Sequence, residues 1–419
     1  MQWTHRELVV GFASGLIVAA VLDQLRRHVD TRGKEADLSH PTKKTAPAPA
    51  SAPVLQLDQG LPAIGVGIES TIGNTPLIEI RSLSAATGCT ILAKCEFLNG
   101  AGNSPKDRVA LSMMERGEAA GLLEPHSGDT IYEGTVGSTG ISLATLCRAR
   151  GYLAHICMPS DQSFEKSNLL LKLGAVVERV TPAPIVDQAH YVNRARNLAR
   201  DHTADPAKQG RGYFANQFET EANWRAHYEG TGPEIYHQTD GQVDAFVAGA
   251  GTGGTLSGVA MFLKERLPQL KVVLADPQGS GLYNKIKHGV MFHPLEREGT
   301  RRRDQVDTIV EGIGLTRSTV NFEQGRDLID DAVKVTDLQA KNMARWLVER
   351  DGIFIGSSSA VNCTAALQTA LTMGPGHRVV TILCDSGARH LSKFWAQIGD
   401  IGGDARTTID DIVQGRAVT

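Results

Sequence analysis

Short apolar runs that break into glycine- or serine-rich turns, and then into a helical pattern, recur along this chain. "DTIYE" (129–133) leads into "GTVGSTG" and the helical "ISLATLCRAR". "YLAHICMP" (152–159) precedes "SFEKSNLLLKLG", and "AVVERV" (175–180) precedes "IVDQAHYVNRARNLARD". "VDAFVA" (243–248) leads into "GAGTGGT" and "LSGVAMFLKERL", followed by "KVVLAD" (271–276). Near the end, "VVTILC" (379–384) runs into "DSGARHLSKFWAQI". Continuous β-branched strands alternating with amphipathic helices predict parallel sheets covered by helices on both faces. Ligands in such folds bind at the carboxyl ends of strands, where these turns lie. The expectation is an α/β protein of two doubly wound units with a cleft between them. No internal repeat is visible.

Composition agrees with this class. The 419 residues leave room for a well-buried core, and 44 glycines with only 5% aromatics suit many strand-to-helix turns better than a β-sandwich. A formal charge of -3 gives no electrostatic case for nucleic acid. The six cysteines (Cys89, Cys95, Cys147, Cys157, Cys363 and Cys384) form no C-x-x-C pair and no ligand-like spacing with histidine. Neither a disulfide framework nor a metal site is therefore expected, and a reducing compartment is the default.

The N-terminal segment stands apart. Residues 8–22 are an uncharged, mostly apolar run, followed by Gln24, Arg26 and Arg27. A secretory signal carries its basic residues before the apolar run, and a matrix presequence is arginine-rich throughout. A retained transmembrane anchor over residues 1–28 fits better, with Trp3 and Leu25 extending the span toward the interfaces. It looks like a signal-anchor of the mitochondrial outer membrane with the folded part facing the cytosol, the endoplasmic reticulum being the alternative. Residues 29–65, including "KKTAPAPASAP", read as a Pro/Ala/Lys tether that cannot bury a core. Folding is expected to begin near Ile68.

Four turns carry candidate chemistry. In "NSPKDR" (103–108), Ser104 reads as a helix cap, Pro105 as the first helical residue and Asp107 as an acidic first-turn residue. Lys106 then sits where the helix dipole opposes its charge, which favours a neutral, nucleophilic amine. Taken alone, a lysine leaning into solvent is the plainer reading. "GAGTGGT" (249–255) follows a strand and opens a helix, so its backbone N–H groups, with Thr252 and Thr255 as further donors, make an anion cradle. The same turn matches G-x-G-x-x-G through Gly249, Gly251 and Gly254, with Asp276 ending the next strand, so a nicotinamide dehydrogenase competes at this point. "EGTVGSTG" (133–140) is a second helix-opening turn, with hydroxyls at Thr135, Ser138 and Thr139. "CDSG" (384–387) ends a strand with Ser386, a neutral hydroxyl able to meet a ring nitrogen, and "NQF" (216–218) closes a short strand with amides able to bind a carboxylate. A lysine amine, a phosphate turn, a carboxylate loop and a strand-end hydroxyl together compose a pyridoxal phosphate site. A dinucleotide has no use for the carboxylate loop or for Lys106.

The order "GNTPL" (73–77), "NSPKDR", "GTVGSTG", "NQFETEANWRAHYEGTGPEI", "GAGTGGTLSGV", "EGIG" (311–314) and "CDSGARHLS" resembles the cysteine synthase and cystathionine β-synthase family of fold-type II pyridoxal phosphate enzymes, over about residues 68–395. The resemblance implies a tryptophan synthase β-like fold, with a catalytic region over 66–395, a smaller subdomain at about 106–215, a larger one of 66–105 plus 216–395, and a C-terminal tail at 396–419. It implies that Lys106 is the Schiff-base lysine, that Gly251, Thr252, Gly253, Gly254 and Thr255 cradle the phosphate, and that Ser386 meets the ring nitrogen. Thr135, Val136, Gly137, Ser138 and Thr139 match the substrate-carboxylate loop, with Gln217 beside it, and Gly356 in "GIFIGSSSA" matches a glycine lining the site. Ser138 is also implied to contact the cofactor, since it replaces the family's asparagine at the ring oxygen, and Val136 replaces a serine. The implied reaction is O-acetylserine plus sulfide giving cysteine plus acetate, through an internal aldimine at Lys106 and an aminoacrylate. The alternatives are serine or threonine dehydration, cystathionine formation, or a membrane-tethered cofactor-binding protein with weak synthase activity. A homodimer is implied as well. Residues 285–306, with Arg301, Arg302 and Arg303, read as a solvated basic loop, and His288 and His293 as surface residues.

Overall fold

The computed structural model describes residues 64–162, 164–293, 296–297, 308–402 and 406–417. The expected anchor at residues 8–22, nearly all of the tether, Arg301 to Arg303 and the His293 side chain lie outside the described residues. Among the described residues, no helix is long and apolar enough to cross a membrane.

The strands are β1 (Leu77–Glu79), β2 (Thr90–Cys95), β3 (Thr130–Gly134), β4 (Leu153–Pro159), β5 (Val176–Val180), β6 (Gly212–Phe214), β7 (Ala245–Gly249), β8 (Lys271–Pro277), β9 (Phe292–His293), β10 (Glu296–Arg297), β11 (Asp331–Val335) and β12 (Arg378–Leu383). Four of them form a wholly parallel sheet in the order β5-β4-β3-β6. Six form a sheet in the order β1-β2-β12-β7-β8-β11, parallel except for the antiparallel β1–β2 edge. β9 and β10 make a separate hairpin. The α/β architecture with parallel sheets is thus the one the alternating pattern predicts. Strands β3, β7, β8 and β12 are buried almost throughout, as strands covered on both faces must be.

The helix Ser357–Met373 is built largely of serine, alanine, threonine and other small or apolar residues, and from Ser357 to Ala370 only Gln368 escapes full burial. Low polarity all round a helix is the signature of one that sits inside the core. The helix Asp337–Asp351 starts in a capping box between Thr336 and Gln339. Against it docks a helix at Ile409–Gln414: the Asn342 amide donates to the carbonyls of Asp411 (2.8 Å) and Arg416 (2.7 Å), and Ile412 is fully buried. The segment read from sequence as a tail therefore contributes a core element, too short for periodicity to reveal. "DSGARHLSKFWAQI" is helical in short pieces rather than as one α-helix: a 3-10 turn at Gly387–Arg389, a π-helical turn at Leu391–Trp395 and an α-helical turn at Ala396–Ile398. A bridge between Ser386 and Ile355, and the Trp395 indole donating to the Ile355 carbonyl at 3.0 Å, hold it against the loop before the central helix.

Beneath the start of the helix Lys106–Ala119 lies a buried charge network. Arg108 grips Glu96 with Nε (2.7 Å) and Nη2 (2.8 Å), and Glu234 with Nη1 (2.6 Å) and Nη2 (2.8 Å). Lys94, fully buried, pairs with Glu234 at 2.6 Å and donates to the Thr75 carbonyl at 2.6 Å. Two cations and two carboxylates balance, so the network persists away from water. Replacing Glu96 by Gln leaves Arg108 undercompensated and should cost about 3–5 kcal/mol. A urea titration checks this, with the midpoint falling at an unchanged slope.

Candidate active site

One cavity of about 640 Å³ gathers most of the turns singled out in the sequence. Its wall includes Lys106, Thr135, Val136, Gly137, Ser138, Thr139, Gln217, Gly251, Thr252, Gly253 and Thr255. The N-terminus of the helix Lys106–Ala119, the turn after β3, the turn after β7 and the end of β12 meet there, at the carboxyl ends of both sheets.

Lys106 opens its helix. Pro105, at φ -61, holds the cap position read from sequence for Ser104, so the helix starts one residue later than expected, while the Ser104 hydroxyl accepts the Lys106 backbone N–H at 3.3 Å. Its neighbours in sequence are immobilised: Asp107 accepts the Gly102 N–H at 2.7 Å, the Ala101 N–H at 3.1 Å and the Ser142 hydroxyl at 2.5 Å, while Arg108 is clamped as described. The Lys106 amine has no hydrogen-bond or ion-pair partner among the described residues. Its pKa is lowered chiefly by burial, against the opposing influence of Cys384, Asp385 and Glu96. Desolvation thus does the work that the sequence assigned to the helix dipole.

The turn after β7 is shaped to admit an anion. Gly253 sits at φ +90, and a Cβ there would press on the Phe322 backbone at 2.5 Å. A Cβ at Gly251 would run into the Gly312 carbonyl oxygen. No side chain can fill this turn, which leaves backbone and the Thr252 and Thr255 hydroxyls facing the cavity at the start of the helix Gly254–Arg266. Asp276, the acidic residue of the dinucleotide pattern, is buried instead against Lys334 (3.0 Å) and the Tyr283 N–H (2.8 Å) and does not line the cavity. The nicotinamide reading loses its ribose contact with it.

On the opposite wall, Thr139 Oγ1 donates to Gln217 Oε1 at 2.5 Å, joining the β3 turn to the segment after β6. Behind them lies Glu133, fully buried, which accepts the Gln217 N–H at 3.3 Å and whose carboxyl is pushed up to about 8 by desolvation. Ser138 starts the helix Ser138–Arg150, and its carbonyl accepts the Ser142 hydroxyl at 3.0 Å.

Three predicted residues are not on the wall: Gly254, Gly356 and Ser386. The Ser386 hydroxyl accepts the Ala388 N–H at 3.3 Å, capping the following turn, while its neighbours Cys384, Asp385 and Ala388 line the cavity. Gly356 lies behind the wall, where a Cβ would meet Asp385 and His390. Of the three serines in "GIFIGSSSA", the one that reaches the cavity is Ser358, two residues beyond Gly356. Ser357 Oγ accepts the Glu311 N–H at 3.0 Å and Ser359 Oγ accepts the Cys384 N–H at 2.8 Å, which leaves Ser358 of the "SSS" run on the wall, hydrogen-bonded to the Cys384 thiol. The triplet was visible in the sequence, but not which of its members faces inward. Asn362, also unforeseen, ties the ends of β7 and β12 by accepting the Gly249 N–H (2.8 Å) and donating to the Ile382 carbonyl (2.9 Å).

Glu311 pairs with Lys166 at 2.9 Å and Lys393 at 3.1 Å, with His390 Nδ1 at 3.8 Å, and chiefly the two lysines hold its carboxyl at about 2 despite burial. None of His155, Cys157 and Glu178 is on the cavity wall, and they place ligand-type atoms within 4.8 Å of one another on β4 and β5. Arg194 already engages Glu178 at 2.8 Å, and burial pushes the Cys157 thiol up to about 12, so the grouping has the chemistry of a packed strand edge.

An unpaired, desolvated lysine beside a side-chain-free anion turn and a hydroxyl-rich loop defines a cofactor-dependent enzyme of amino-acid chemistry. Comparison with known proteins agrees. Residues 68–385 match the family model described as pyridoxal-phosphate dependent enzyme. Cysteine synthase 2 of Emericella nidulans is 62% identical over 98% of this chain and 99% of its own length. Cysteine synthase 2 of Neurospora crassa is 67% identical over 83% of this chain and 77% of its own length. Among solved structures, an O-ureido-L-serine synthase superposes with a TM-score of 0.69 at 30% identity, covering 82% of this chain and 98% of that one. An O-acetylserine dependent cystathionine beta-synthase from Helicobacter pylori gives 0.66 at 30% identity, covering 79% and 98%. The chain belongs to the cysteine synthase family of pyridoxal-phosphate dependent enzymes, and pyridoxal 5'-phosphate is its cofactor. The residues present fit that group, since the turn excludes every side chain and the lysine has no competing partner.

The Glu311 carboxylate carries a testable pH signature. Its folded pKa of about 2 lies below the ordinary 4.5, so the stability it adds is complete above pH 4.5 and lost as pH falls toward 2. Glu311→Gln should lower stability near neutral pH by at most about 3 kcal/mol. Paired denaturant titrations of both proteins should show the gap closing with acidification over that window.

Proposed function

We propose that the chain makes cysteine by β-replacement, sulfide displacing acetate from O-acetylserine. The observation that carries this reading is the convergence of Lys106, the Gly251–Thr255 turn and the Thr135–Thr139 loop on one cavity. Bound pyridoxal phosphate supplies an electron sink for negative charge developing at the substrate Cα. Lys106 would hold the cofactor and would take the proton from the substrate Cα, a role suited to an amine kept from protonation by burial. Gly251, Thr252, Gly253 and Thr255, which line the cavity, would hold the phosphate with backbone and hydroxyl donors. Thr135, Val136, Gly137, Ser138, Thr139 and Gln217 receive the substrate carboxylate, with Ser138 also near the ring. Ser358 takes the ring-nitrogen contact first assigned to Ser386, because it is the serine of the central helix that lines the cavity.

The same proposal extends to the whole chain. Residues 8–22 anchor it, with the mitochondrial outer membrane as the site and the catalytic region toward the cytosol, and the enzyme works as a homodimer. Residues of about 106–215 form the smaller subdomain, and 66–105 with 216–395 the larger.

Purified full-length chain should convert O-acetylserine and sulfide to cysteine, and Lys106→Ala should lower that rate by roughly a hundred- to ten-thousandfold. A Lys106→Ala variant as active as the wild type would refute the assignment. Ser358→Ala should alter the visible absorbance of the bound cofactor and slow turnover, whereas Ser386→Ala should stay within about twofold of wild type. For the anchor, alkaline extraction of membranes should retain the full chain and release one lacking residues 1–28.

A further inference from the structure

Two fully buried side chains stand directly behind the anion turn, and neither touches the cavity: Asn223 and His227. Both belong to the "NQFETEANWRAHYEGTGPEI" stretch, Asn223 in the helix Glu221–Ala226 and His227 at the head of a π-turn, His227–Thr231. The Asn223 Nδ2 donates to the Gln217 carbonyl at 2.6 Å and to Thr252 Oγ1 at 2.9 Å. A carbonyl can only accept, so the amide orientation is settled and Thr252 must be the acceptor in the second bond. A hydroxyl that accepts there keeps its own proton free, and Thr252 is one of the residues that line the cavity. The Thr252 carbonyl meanwhile accepts the Thr319 hydroxyl at 2.7 Å, so the residue is held at both ends.

His227 treats Thr255 in the same way. Its Nε2 lies 3.1 Å from Thr255 Oγ1, and its Nδ1 lies 2.9 Å from Thr231 Oγ1, a contact the wide π-turn makes between residues four apart. Burial, with Arg108 and Lys106 nearby, keeps the imidazole neutral, so it has one N–H and one bare nitrogen. If Nε2 bears the hydrogen, Thr231 donates to Nδ1 and Thr255 is left free to donate into the cavity. The opposite tautomer would use up the Thr255 proton on the histidine.

We infer that Asn223 and His227 are positioning residues that commit the Thr252 and Thr255 hydroxyls as donors toward a phosphate dianion, with His227 held as the Nε2–H tautomer. The inference rests on the pyridoxal phosphate reading of the cavity and deepens it: retention of the phosphate depends on a second layer of side chains that never touches it. In this arrangement the anion meets donors whose protons are already aimed, and no hydroxyl has to be turned away from a protein partner.

The test compares binding of pyridoxal 5'-phosphate with that of pyridoxal, which lacks the phosphate, to the full chain stripped of cofactor. The proteins are wild type, Asn223→Asp, His227→Leu and His227→Gln. Aspartate keeps the shape but can only accept, so it draws the Thr252 proton away from the cavity. Leucine removes the donor to Thr255, and glutamine restores one. Asn223→Asp and His227→Leu should each weaken pyridoxal phosphate binding on the order of ten- to a hundredfold while leaving pyridoxal binding unchanged. His227→Gln should recover most of the loss, and the phosphorus resonance of the bound cofactor should shift in the two weakened variants and return in the third. Equal weakening of both ligands, or none, would overturn the inference, because a merely structural role does not discriminate between them. A variant too unstable to bind either ligand counts as equal weakening unless His227→Gln restores the preference for the phosphate. Should wild type take up neither ligand, the functional reading itself fails, an outcome distinct from the others.

Discussion

The buried guanidinium of Arg108 is the interaction on which the rest of the catalytic region depends. It sits between Glu96, at the end of the six-stranded sheet, and Glu234, in the helix Gly232–Gln238, and it belongs to the helix that begins with Lys106. A guanidinium offers donors in a fixed planar fork, so bidentate contact with two carboxylates settles the rotation of that helix as well as its position. Asp107, one residue earlier, does the same toward the loop at Ala101–Gly102 and toward Ser142 in the helix that follows the β3 turn. Lys106 stands beside these two locked neighbours. The lysine is therefore aimed by the backbone and needs no hydrogen bond of its own, which leaves its amine available for chemistry.

A second consequence follows from where charge is and is not allowed. Beneath the cavity, cations and carboxylates are paired and buried; at its mouth, Lys166, Lys393 and His390 converge on Glu311. Between the two layers, the Lys106 amine has no ion-pair partner among the described residues, and burial depresses its protonation. The anion turn carries no side-chain charge at all. Its donors are backbone groups and two threonines, backed by Asn223 and by the neutral His227. Neutral donors fixed in place neither pair with Lys106 nor compete with it for protons.

How much of this was legible beforehand varied with the kind of information each residue carries. Strand runs such as "VVTILC" and turns such as "GAGTGGT" declare themselves locally, because burial on both faces demands continuous apolar sequence and close backbone approach demands glycine. Ser358 and Ser386 are the instructive pair. Each is a serine at the head of a turn after an apolar segment, and local sequence cannot tell a cap from a cavity hydroxyl. The decision lay with partners distant in the chain: Glu311 and Cys384 claimed the hydroxyls of Ser357 and Ser359, and the bridge to Ile355 held Ser386 where its hydroxyl caps the following turn. The C-terminal helix was hidden for another reason. Six residues make too few turns for a periodic pattern, and its stability comes from Ile412 in the core and from the Asn342 amide.

The sequence by itself determined the alternation of strands and helices and the glycine-rich turns at 134–140 and 249–255, because each is written in consecutive residues whose conformational limits are local. Tertiary structure alone decided what makes Lys106 reactive, which serine of the "SSS" run enters the cavity and what stands behind Thr252 and Thr255. Desolvation, hydrogen-bond competition and charge pairing depend on atoms that are neighbours in space but separated along the chain, as Asn223 is from Thr252 and Glu311 from Ser357. Those neighbours exist only once the two sheets and the helices between them have packed.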